Sequence, residues 1–270
     1  MLEMISASYS YGGQPALRNA SLKIEKGESV CLLGANGSGK STMLKMINGL
    51  VFPDSGKCLF ESKEISRKSM SDPRFAKAFY RKMGFVFQNV EAQLFCADVY
   101  DEVAFGLRQI GFDETEVRMK VEDALKLTGL LGFEKRAPYH LSGGEKKKVA
   151  LAAVLASDPE VLSLDEPLNG LDPRTARWLC EFLQDQNAKG KTLIISTHNL
   201  ELVQEMSRRA ILFGEDHTIF ADMPSMSLLD DIDMLKRANL VDEYYHKHQD
   251  SGHSHFHSHS VSGKPGADKG

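Results

Sequence analysis

The spacing of apolar and polar positions changes several times along the first 240 residues, and each change marks a predicted element. Rough alternation at Leu2–Tyr9 and Ser21–Ile24 predicts two antiparallel strands, joined by a loop at Gly12–Gly13. Strands of this kind usually cover one edge of a larger sheet. Further strands are predicted at Ser29–Leu33, Lys57–Phe60, Met83–Phe87, Val161–Leu164 and Thr192–Ser196, and edge strands at Ala210–Phe213 and Thr218–Phe220.

Helical spacing fills many of the segments between these strands. A helix is predicted from Lys40 to about Asn48, with Leu44 and Ile47 facing inward. Further helices are predicted from Arg174 to about Lys189, at Leu200–Met206, and from Met223 to about Leu240. This alternation predicts an α/β fold, with a mostly parallel sheet covered on both faces and the antiparallel strands at its edge.

One long helical block, from about Val99 to Leu155, interrupts the alternation of strands and helices. We therefore predict an inserted α-helical subdomain at about residues 99–158, beside the α/β core. Its inward face at helical spacing comprises Val117, Val121, Ala124, Leu125 and Thr128.

Composition narrows the class of protein. A net charge of −4 over 270 residues argues against general nucleic-acid binding, which needs a basic surface. No run of 18 apolar residues is present, and Met1–Ile5 lacks the basic start and apolar core of a signal peptide. We therefore expect a cytosolic protein whose four scattered cysteines are reduced.

The stretch from Gly34 to Ser41 matches the pattern G-x-x-x-x-G-K-[ST] between a predicted strand and a predicted helix. Glycines let the backbone wrap around an anion, and the helix N-terminus adds partial positive charge. Lys40 would reach the β- and γ-phosphates of a nucleotide, and the Ser41 hydroxyl would bind Mg²⁺. A plain glycine turn is the alternative, but the strand and helix on either side favour phosphate binding. The nucleotide-binding residues predicted here are Gly34, Ala35, Asn36, Gly37, Ser38, Gly39, Lys40, Ser41 and Thr42.

Polar side chains follow three of the predicted strands: Gln88, the pair Asp165 and Glu166, and His198. In an open α/β sheet, ligands bind at the carboxyl ends of the strands, so these side chains should face the bound phosphates. Asp165 can hold Mg²⁺, with Gln88 as a further oxygen ligand, and Glu166 can accept a proton from the attacking water. His198 could sense the γ-phosphate and orient that water.

A second glycine segment, Leu141–Glu145, precedes another predicted helix. Ser142 and Glu145 have the spacing of a capping box, which alone would mean only a well-capped helix. Gly143 and Gly144 beside a helix N-terminus, however, make a second anion site. Two such sites from separate subdomains indicate that a second copy of the chain completes the site of the first.

Tyr11 lies in the loop just before Gly12. It is either a surface aromatic of a turn or a platform on which a planar base stacks.

As an ordered set, these motifs resemble those of the ATP-binding subunit of ABC transporters, from about residue 1 to residue 240. Gly34–Thr42 resembles Walker A, Leu141–Glu145 the signature motif and Val161–Asp165 Walker B. The resemblance implies the ABC ATPase fold with a P-loop NTPase core, ATP and Mg²⁺ as cofactors, and a head-to-tail dimer around two ATP molecules. The roles it implies are adenine stacking for Tyr11, the Q-loop for Gln88, the catalytic base for Glu166, the D-loop for Asp172 and the switch histidine for His198.

Two departures from the family pattern leave hydrolysis intact. Glu145 replaces the usual glutamine of the signature, and Leu168–Asn169 replace the usual threonine and small residue before Gly170. Neither position touches the catalytic atoms.

A narrower resemblance points to the energy-coupling-factor branch, which imports vitamins and transition-metal ions. It rests on Phe85–Phe95, Val99 and Asp101–Leu107, with Gln93 as the second glutamine of that branch. The implied partners are a transmembrane coupling subunit, a substrate-capturing membrane protein, and a second ATPase chain, identical or related. The chain would lie peripherally on the cytoplasmic face of the membrane. The cobalt/nickel group resembles it best, including Leu235–Leu240, and a vitamin importer is the alternative.

The end of the chain, residues 241–270, is predicted to be a disordered, histidine-rich tail. His253, His255, His257 and His259 alternate in it, and neutral imidazoles suit Ni and Co. A tail of no consequence is the alternative.

Two other functional classes fit less well. A soluble ABC-type ATPase acting on nucleic acid or ribosomes would commonly carry two cassettes or a basic insertion, and a metal-storage protein would rest on the tail alone.

Overall fold

The computed structural model describes residues 1–241 and the backbone of 246–248 and 255–257. The strands are β1 (Leu2–Tyr11), β2 (Gln14–Ile24), β3 (Ser29–Leu33), β4 (Ser55–Phe60), β5 (Lys63–Glu64), β6 (Met83–Val86), β7 (Val161–Asp165), β8 (Thr192–Thr197), β9 (Arg209–Phe213), β10 (Ile219–Pro224), β11 (His246–His248) and β12 (His255–His257). The helices are α1 (Lys40–Ile47), α2 (Arg67–Met70), α3 (Pro73–Lys82), α4 (Val99–Ile110), α5 (Glu114–Leu127), α6 (Gly143–Leu155), α7 (Pro173–Ala188), α8 (Leu200–Met206), α9 (Ser225–Asp230) and α10 (Ile232–Arg237), with 3₁₀ turns at Val90–Ala92 and Pro138–His140. The predicted α/β fold is confirmed.

The central sheet has six strands in the order β10-β9-β3-β8-β7-β6, and only β10 runs antiparallel to its neighbour. The prediction that β9 is an edge strand is wrong, because β9 lies between β3 and β10. Its residues from Ala210 to Phe213 are fully buried, as expected of an interior strand. The carboxyl ends of β3, β6, β7 and β8 therefore meet at one edge of the sheet.

The antiparallel strands form a separate second sheet, in the order β2-β1-β4-β5, so the predicted β subdomain is present. The prediction that it lies at the edge of the central sheet is wrong, because it packs over one face of that sheet. Residues of β3 alternate between two cores: Cys31 and Leu33 pack with α7 and α8, whereas Val30 and Leu32 pack with α1 and the second sheet. The central sheet is therefore covered on both faces, as predicted.

Helices α4, α5 and α6 share a third hydrophobic core. The predicted inward residues of α5, from Val117 to Leu125, are all less than 5 % exposed, and Thr128 is fully buried. Asp98 and Asp113 cap the N-termini of α4 and α5 through their carboxylates. The proposed limits of this subdomain, 99–158, stay a prediction, although α4 begins at Val99.

The C-terminal region departs from the predicted single helix over Met223–Leu240. Strand β10 extends through Pro224, and α9 and α10 are separate helices with Asp231 between them. Asp231 has φ −89° and ψ 84°, and its side chain accepts a hydrogen bond from the Met234 backbone N–H. Its carboxylate therefore starts a new helix instead of continuing the old one.

Strands β11 and β12 pair antiparallel. Of the four histidines predicted to bind metal, His253 and His259 lie outside the described residues. The division into a domain over 1–240 and a disordered tail stays a prediction. Among the described residues, no helix is long and apolar enough to cross a membrane.

Candidate active site

The loop between β3 and α1 has the backbone form of a phosphate cradle. Gly39 has φ +113°, and a Cβ atom there would lie 2.5 Å from the carbonyl oxygen of Ala16, so only glycine fits. The Lys40 ammonium donates hydrogen bonds to the carbonyl oxygens of Gly34 (2.7 Å) and Ala35 (2.9 Å). Within the described chain, the buried Ser38 hydroxyl has no hydrogen-bond partner. The loop thus contains one buried hydroxyl group whose hydrogen-bonding capacity is unused.

A cavity of about 260 Å³ opens in front of this loop. It is lined by Asn36, Gly37, Gly39, Lys40, Ser41, Thr42, Gln88 and Glu166. The structure therefore brings the glycine loop together with Gln88, which follows β6, and Glu166, which follows β7. Burial lowers the pKa of Lys40, while the charges of Glu166 and Asp165 oppose that shift.

The segment that carries Gln88 is held by the second glutamine. The Gln93 side-chain oxygen accepts a hydrogen bond from the Phe87 backbone N–H at 3.1 Å. Gln88 itself is exposed. Gln93 therefore fixes the turn after β6 and leaves the Gln88 amide facing the cavity.

Asp165 lies 4 % exposed at the end of β7 and accepts two hydroxyl hydrogen bonds on one carboxylate oxygen. Ser41 Oγ donates from 3.0 Å, and Ser196 Oγ of β8 is the other donor. Carboxylate, hydroxyl and amide oxygens are ligands that suit Mg²⁺. The residues predicted for this ion, Ser41, Gln88 and Asp165, fit it by chemistry and by position.

Glu166, which lines the cavity, forms a pair with His198. Glu166 Oε1 lies 2.9 Å from His198 Nδ1, and the Glu166 side chain is 6 % exposed whereas that of His198 is 47 % exposed. Glu166 has φ +44°, a conformation that costs energy for a residue with a side chain. Its backbone N–H donates to Ser196 at 3.1 Å, which holds this strained turn in place. Strain of this kind is common where a side chain must be aimed at a reacting atom.

Lys147 is a buried cation near the catalytic carboxylates, outside the cavity lining, that the sequence did not reveal. It lies on α6 and is 3 % exposed, and the charges of Asp165 and Glu166 affect its pKa. Burial lowers the pKa of Lys147 to about 8, although the two carboxylates favour its charged form. Lys147 lies three and four residues before Ala150 and Leu151, on the same buried face of α6. This spacing is the sequence signal that could have revealed it.

We expect the Lys147→Met variant to lose the rise in the free energy of unfolding that the native chain shows between about pH 8 and pH 10. Between the folded pKa of about 8 and the usual unfolded value of about 10.4, the unfolded state holds more protons, so the free energy of unfolding of the native chain rises with pH. Below the folded pKa the full cost of the buried charge is present, roughly 3 kcal/mol.

Urea unfolding at several pH values, without nucleotide or Mg²⁺, measures this rise. Lys148→Met is the matched control, because the Lys148 ammonium lies over the Trp178 ring at 4.6 Å and should leave the rise unchanged. An equal rise in Lys147→Met would assign it to another group.

The predicted signature segment starts α6 with the expected capping box. The Glu145 carboxylate accepts hydrogen bonds from the backbone N–H and the hydroxyl of Ser142, both at 2.8 Å, and these bonds lower the pKa of Glu145. A Cβ atom on Gly143 would meet nothing within 4 Å, so this face of the helix N-terminus is open. None of these residues lines the cavity of its own chain's glycine loop.

Asp172 caps α7 and lies beside the signature segment. It accepts hydrogen bonds from the Arg174 and Thr175 N–H groups and from the Thr175 hydroxyl, and these contacts lower the pKa of Asp172. A Cβ atom on Gly144 would lie 3.3 Å from Thr175 Oγ1. The turn at Asp172 and the start of α6 therefore pack together.

Tyr11 ends β1 and is 44 % exposed, with its ring edge-on to that of Tyr9 at 4.8 Å between centroids. It is absent from the lining of the 260 Å³ cavity. Its stacking role stays a prediction.

Comparison with known proteins agrees with this arrangement. The ABC transporter family profile matches residues 17–169. The nickel import ATP-binding protein LarO of Lactiplantibacillus plantarum is 42 % identical over 84 % of this chain and 95 % of its own length. The energy-coupling factor transporter ATP-binding protein EcfA of Methanothermobacter thermautotrophicus is 39 % identical over 89 % of this chain and 76 % of its own length.

Two solved structures share the fold. CbiO1 of Clostridium perfringens, part of the ABC transporter complex cbiONQ, aligns with a TM-score of 0.72 and 34 % identity, over 88 % of this chain and 94 % of its own. The ATP-binding cassette MJ0796, as a dimer in a post-hydrolysis state bound to ADP and Pi, aligns with a TM-score of 0.74 and 28 % identity, over 83 % of this chain and 99 % of its own.

Proposed function

The chain belongs to the ABC transporter ATP-binding family, as an ATPase of the energy-coupling-factor type, and on this premise we propose that it powers the uptake of nickel or cobalt ions. The observation that carries the proposal is one cavity lined by the glycine loop and Glu166, with Asp165 held against it by Ser41 and His198 held against it by Glu166. The name of LarO, a nickel import ATP-binding protein, supports a transition-metal cargo.

The described residues divide the work of hydrolysis among themselves. The glycine loop and Lys40 bind the triphosphate, and Glu166 takes a proton from the attacking water. His198, held by Glu166 at 2.9 Å, orients that water against the γ-phosphate. Ser41, Asp165 and Gln88 would hold Mg²⁺, which neutralises charge on the phosphates when bound.

A second chain, identical or related, would complete each site. The open N-terminus of α6, with Ser142, Gly143 and Gly144, offers backbone N–H groups to an anion but lies away from its own chain's cavity. In a head-to-tail dimer it would bind the γ-phosphate held by the partner, with Asp172 beside it. The dimeric state of MJ0796 supports this arrangement.

The transmembrane coupling subunit would dock in an apolar groove between β6, α4 and α6. This docking groove has a cavity of about 250 Å³ and is lined by Tyr80, Met83, Gly84, Phe85, Phe105, Gly106, Leu107, Gln109, Ile110, Ala153, Val154 and Ser157. Phe95 and Phe105 stack edge to face at 4.9 Å beside it and are 65 % and 42 % exposed. A solvent-exposed apolar surface of this kind marks a site of interaction with another protein. The groove connects to the catalytic cavity through Phe85, Phe87 and Gln88.

We expect Gly106→Asp to separate ATP hydrolysis from transport. A Cβ atom on Gly106 would meet nothing within 4 Å, so the isolated chain should fold and hydrolyse ATP normally. A carboxylate in the docking groove should nevertheless abolish ATP-driven uptake in vesicles that hold the whole complex, because a charge buried at an interface is costly. Met119→Asp is the matched control, since Met119 is 56 % exposed and lies outside the groove. Normal uptake by Gly106→Asp would place the coupling subunit elsewhere.

The cargo is tested by measuring which solute accumulates. Cells that carry the complete complex should accumulate labelled Ni²⁺ or Co²⁺, and cells with Glu166→Gln should not. The substrate-capturing membrane protein would select the ion, and the histidine-rich tail would collect it loosely. Deletion of residues 246–270 should leave ATP hydrolysis intact. Accumulation of a vitamin instead of a metal would refute the metal assignment while keeping the transport ATPase.

A further inference from the structure

The segment between β4 and β6 concentrates positive charge on a chain that is acidic as a whole. Residues 61–82 hold seven Lys and Arg residues against three Asp and Glu residues, a net charge of +4, whereas the whole chain carries −4. Six of these cations are exposed, and we call them the α2–α3 basic surface: Lys63, Arg67, Lys68, Arg74, Lys77 and Arg81.

Two of the three acidic residues of this segment already have partners within it. Glu61 forms an ion pair with Lys82 at 2.8 Å, and the Asp72 carboxylate caps α3 by accepting the Arg74 backbone N–H at 2.9 Å. Within residues 1–241, none of the six cations of the basic surface has an ion-pair partner at 4 Å or less. Their charge is therefore available to an external anion.

Packing holds this charge in a fixed place. Phe79 is 2 % exposed beneath α3, where its ring packs edge-on against Phe60 at 5.6 Å between centroids. Arg74, Lys77 and Arg81, at i, i+3 and i+7, lie on the opposite, solvent-facing side of α3. Three of the six cations are thus displayed by an anchored helix.

The same helix also forms the rim of the docking groove. Tyr80, at the end of α3, lines that groove, as does Ile110 of α4. The Arg81 guanidinium stands over the Phe112 ring at 4.7 Å and donates to the Ile110 carbonyl oxygen at 3.4 Å. The Lys77 ammonium lies beside Gly111, at the end of α4, 3.6 Å from the position that a Cβ atom of Gly111 would take. A membrane subunit seated in the groove would therefore bring the basic surface to the bilayer.

We propose that the α2–α3 basic surface binds the anionic phospholipid headgroups of the leaflet beside the coupling subunit. This inference rests on the proposed docking of the chain to a membrane protein. Clustered Lys and Arg residues bind anionic leaflets within about one Debye length, roughly 8–10 Å. Arg guanidinium groups also pair with phosphate oxygens in a bidentate manner. The contact would orient the ATPase on the membrane before and during docking.

Sedimentation of the purified full chain with lipid vesicles tests the proposal. We expect binding to vesicles of phosphatidylcholine and phosphatidylglycerol to exceed binding to pure phosphatidylcholine at least about tenfold, and to weaken as salt is added. Arg74→Glu/Lys77→Glu should lose most of this difference. Lys236→Glu/Arg237→Glu, the same charge change on exposed residues of α10, should retain it.

Two outcomes would overturn the proposal. The first is equal binding of the native chain to charged and uncharged vesicles. The second is full binding of charged vesicles by Arg74→Glu/Lys77→Glu; if this variant also fails to bind the coupling subunit in uncharged detergent, an acidic protein segment is the partner. ATP hydrolysis by the isolated chain should be unchanged in both variants, so failure of lipid binding is distinct from failure of the proposed transport ATPase.

Discussion

The Glu166→Gln variant should bind ATP as tightly as the native chain but hydrolyse it roughly 10²–10⁴-fold more slowly, the usual contribution of a general base. The Glu166 side chain is almost wholly buried, lies at the catalytic cavity and is 2.9 Å from His198 Nδ1. An amide of the same size keeps the packing and accepts a hydrogen bond but cannot take a proton from water. Phosphate release in a single turnover measures the loss, and calorimetric titration with ATP measures binding.

Glu145→Gln is the matched control, because it makes the same chemical change in a glutamate that does not line the catalytic cavity. Glutamine can keep the capping box with Ser142, so its turnover should stay within a few-fold of the native rate. Native turnover by Glu166→Gln would show that another group takes the proton, and His198 would be the nearest candidate.

The catalytic half of the site could be predicted from sequence because its predicted residues lie in the glycine loop, at the end of a strand or shortly after one. Strands β7 and β8 pair in parallel register, with Asp165 opposite Ser196. That register brings His198 to Glu166, although 32 residues separate them. The rule that carboxyl ends of parallel strands meet at one edge therefore carried the prediction, without knowledge of the packing.

Features that depend on contacts between distant segments could not be predicted in the same way. Lys147 looks like one of three consecutive surface lysines until α6 is packed against the catalytic strands. The interior place of β9 depends on its pairing with β3, and the break at Asp231 depends on a local cap that competes with helix continuation. Apolar spacing indicates which residues of an element are buried, but it does not indicate which other element they pack against.

Gly143→Asp should reduce ATP hydrolysis at least about 100-fold, because like charges facing each other across an interface cost several kcal/mol. The expected loss of ATP hydrolysis comes from repulsion between two chains and not from damage within one chain. In its own chain, a Cβ atom on Gly143 meets nothing within 4 Å, and an acidic residue at a helix N-terminus is favourable. Thermal stability and ATP binding by the single chain should therefore be unchanged, while ATP-dependent dimers should no longer form in gel filtration. Gly143→Ala, which adds no charge, should retain most of the activity.

Mixing two inactive variants tests directly whether each site is divided between two chains. Gly143→Asp keeps Lys40 and spoils the signature, whereas Lys40→Ala spoils the phosphate loop and keeps Gly143. A mixed dimer then contains one site with both halves native, so turnover should reappear on mixing. The Lys40 ammonium holds the loop through the Gly34 and Ala35 carbonyl oxygens, so Lys40→Ala alone should be inactive. Mixed dimers that form but show no turnover, or Gly143→Asp chains that hydrolyse ATP at the native rate, would mean that one chain holds the complete site.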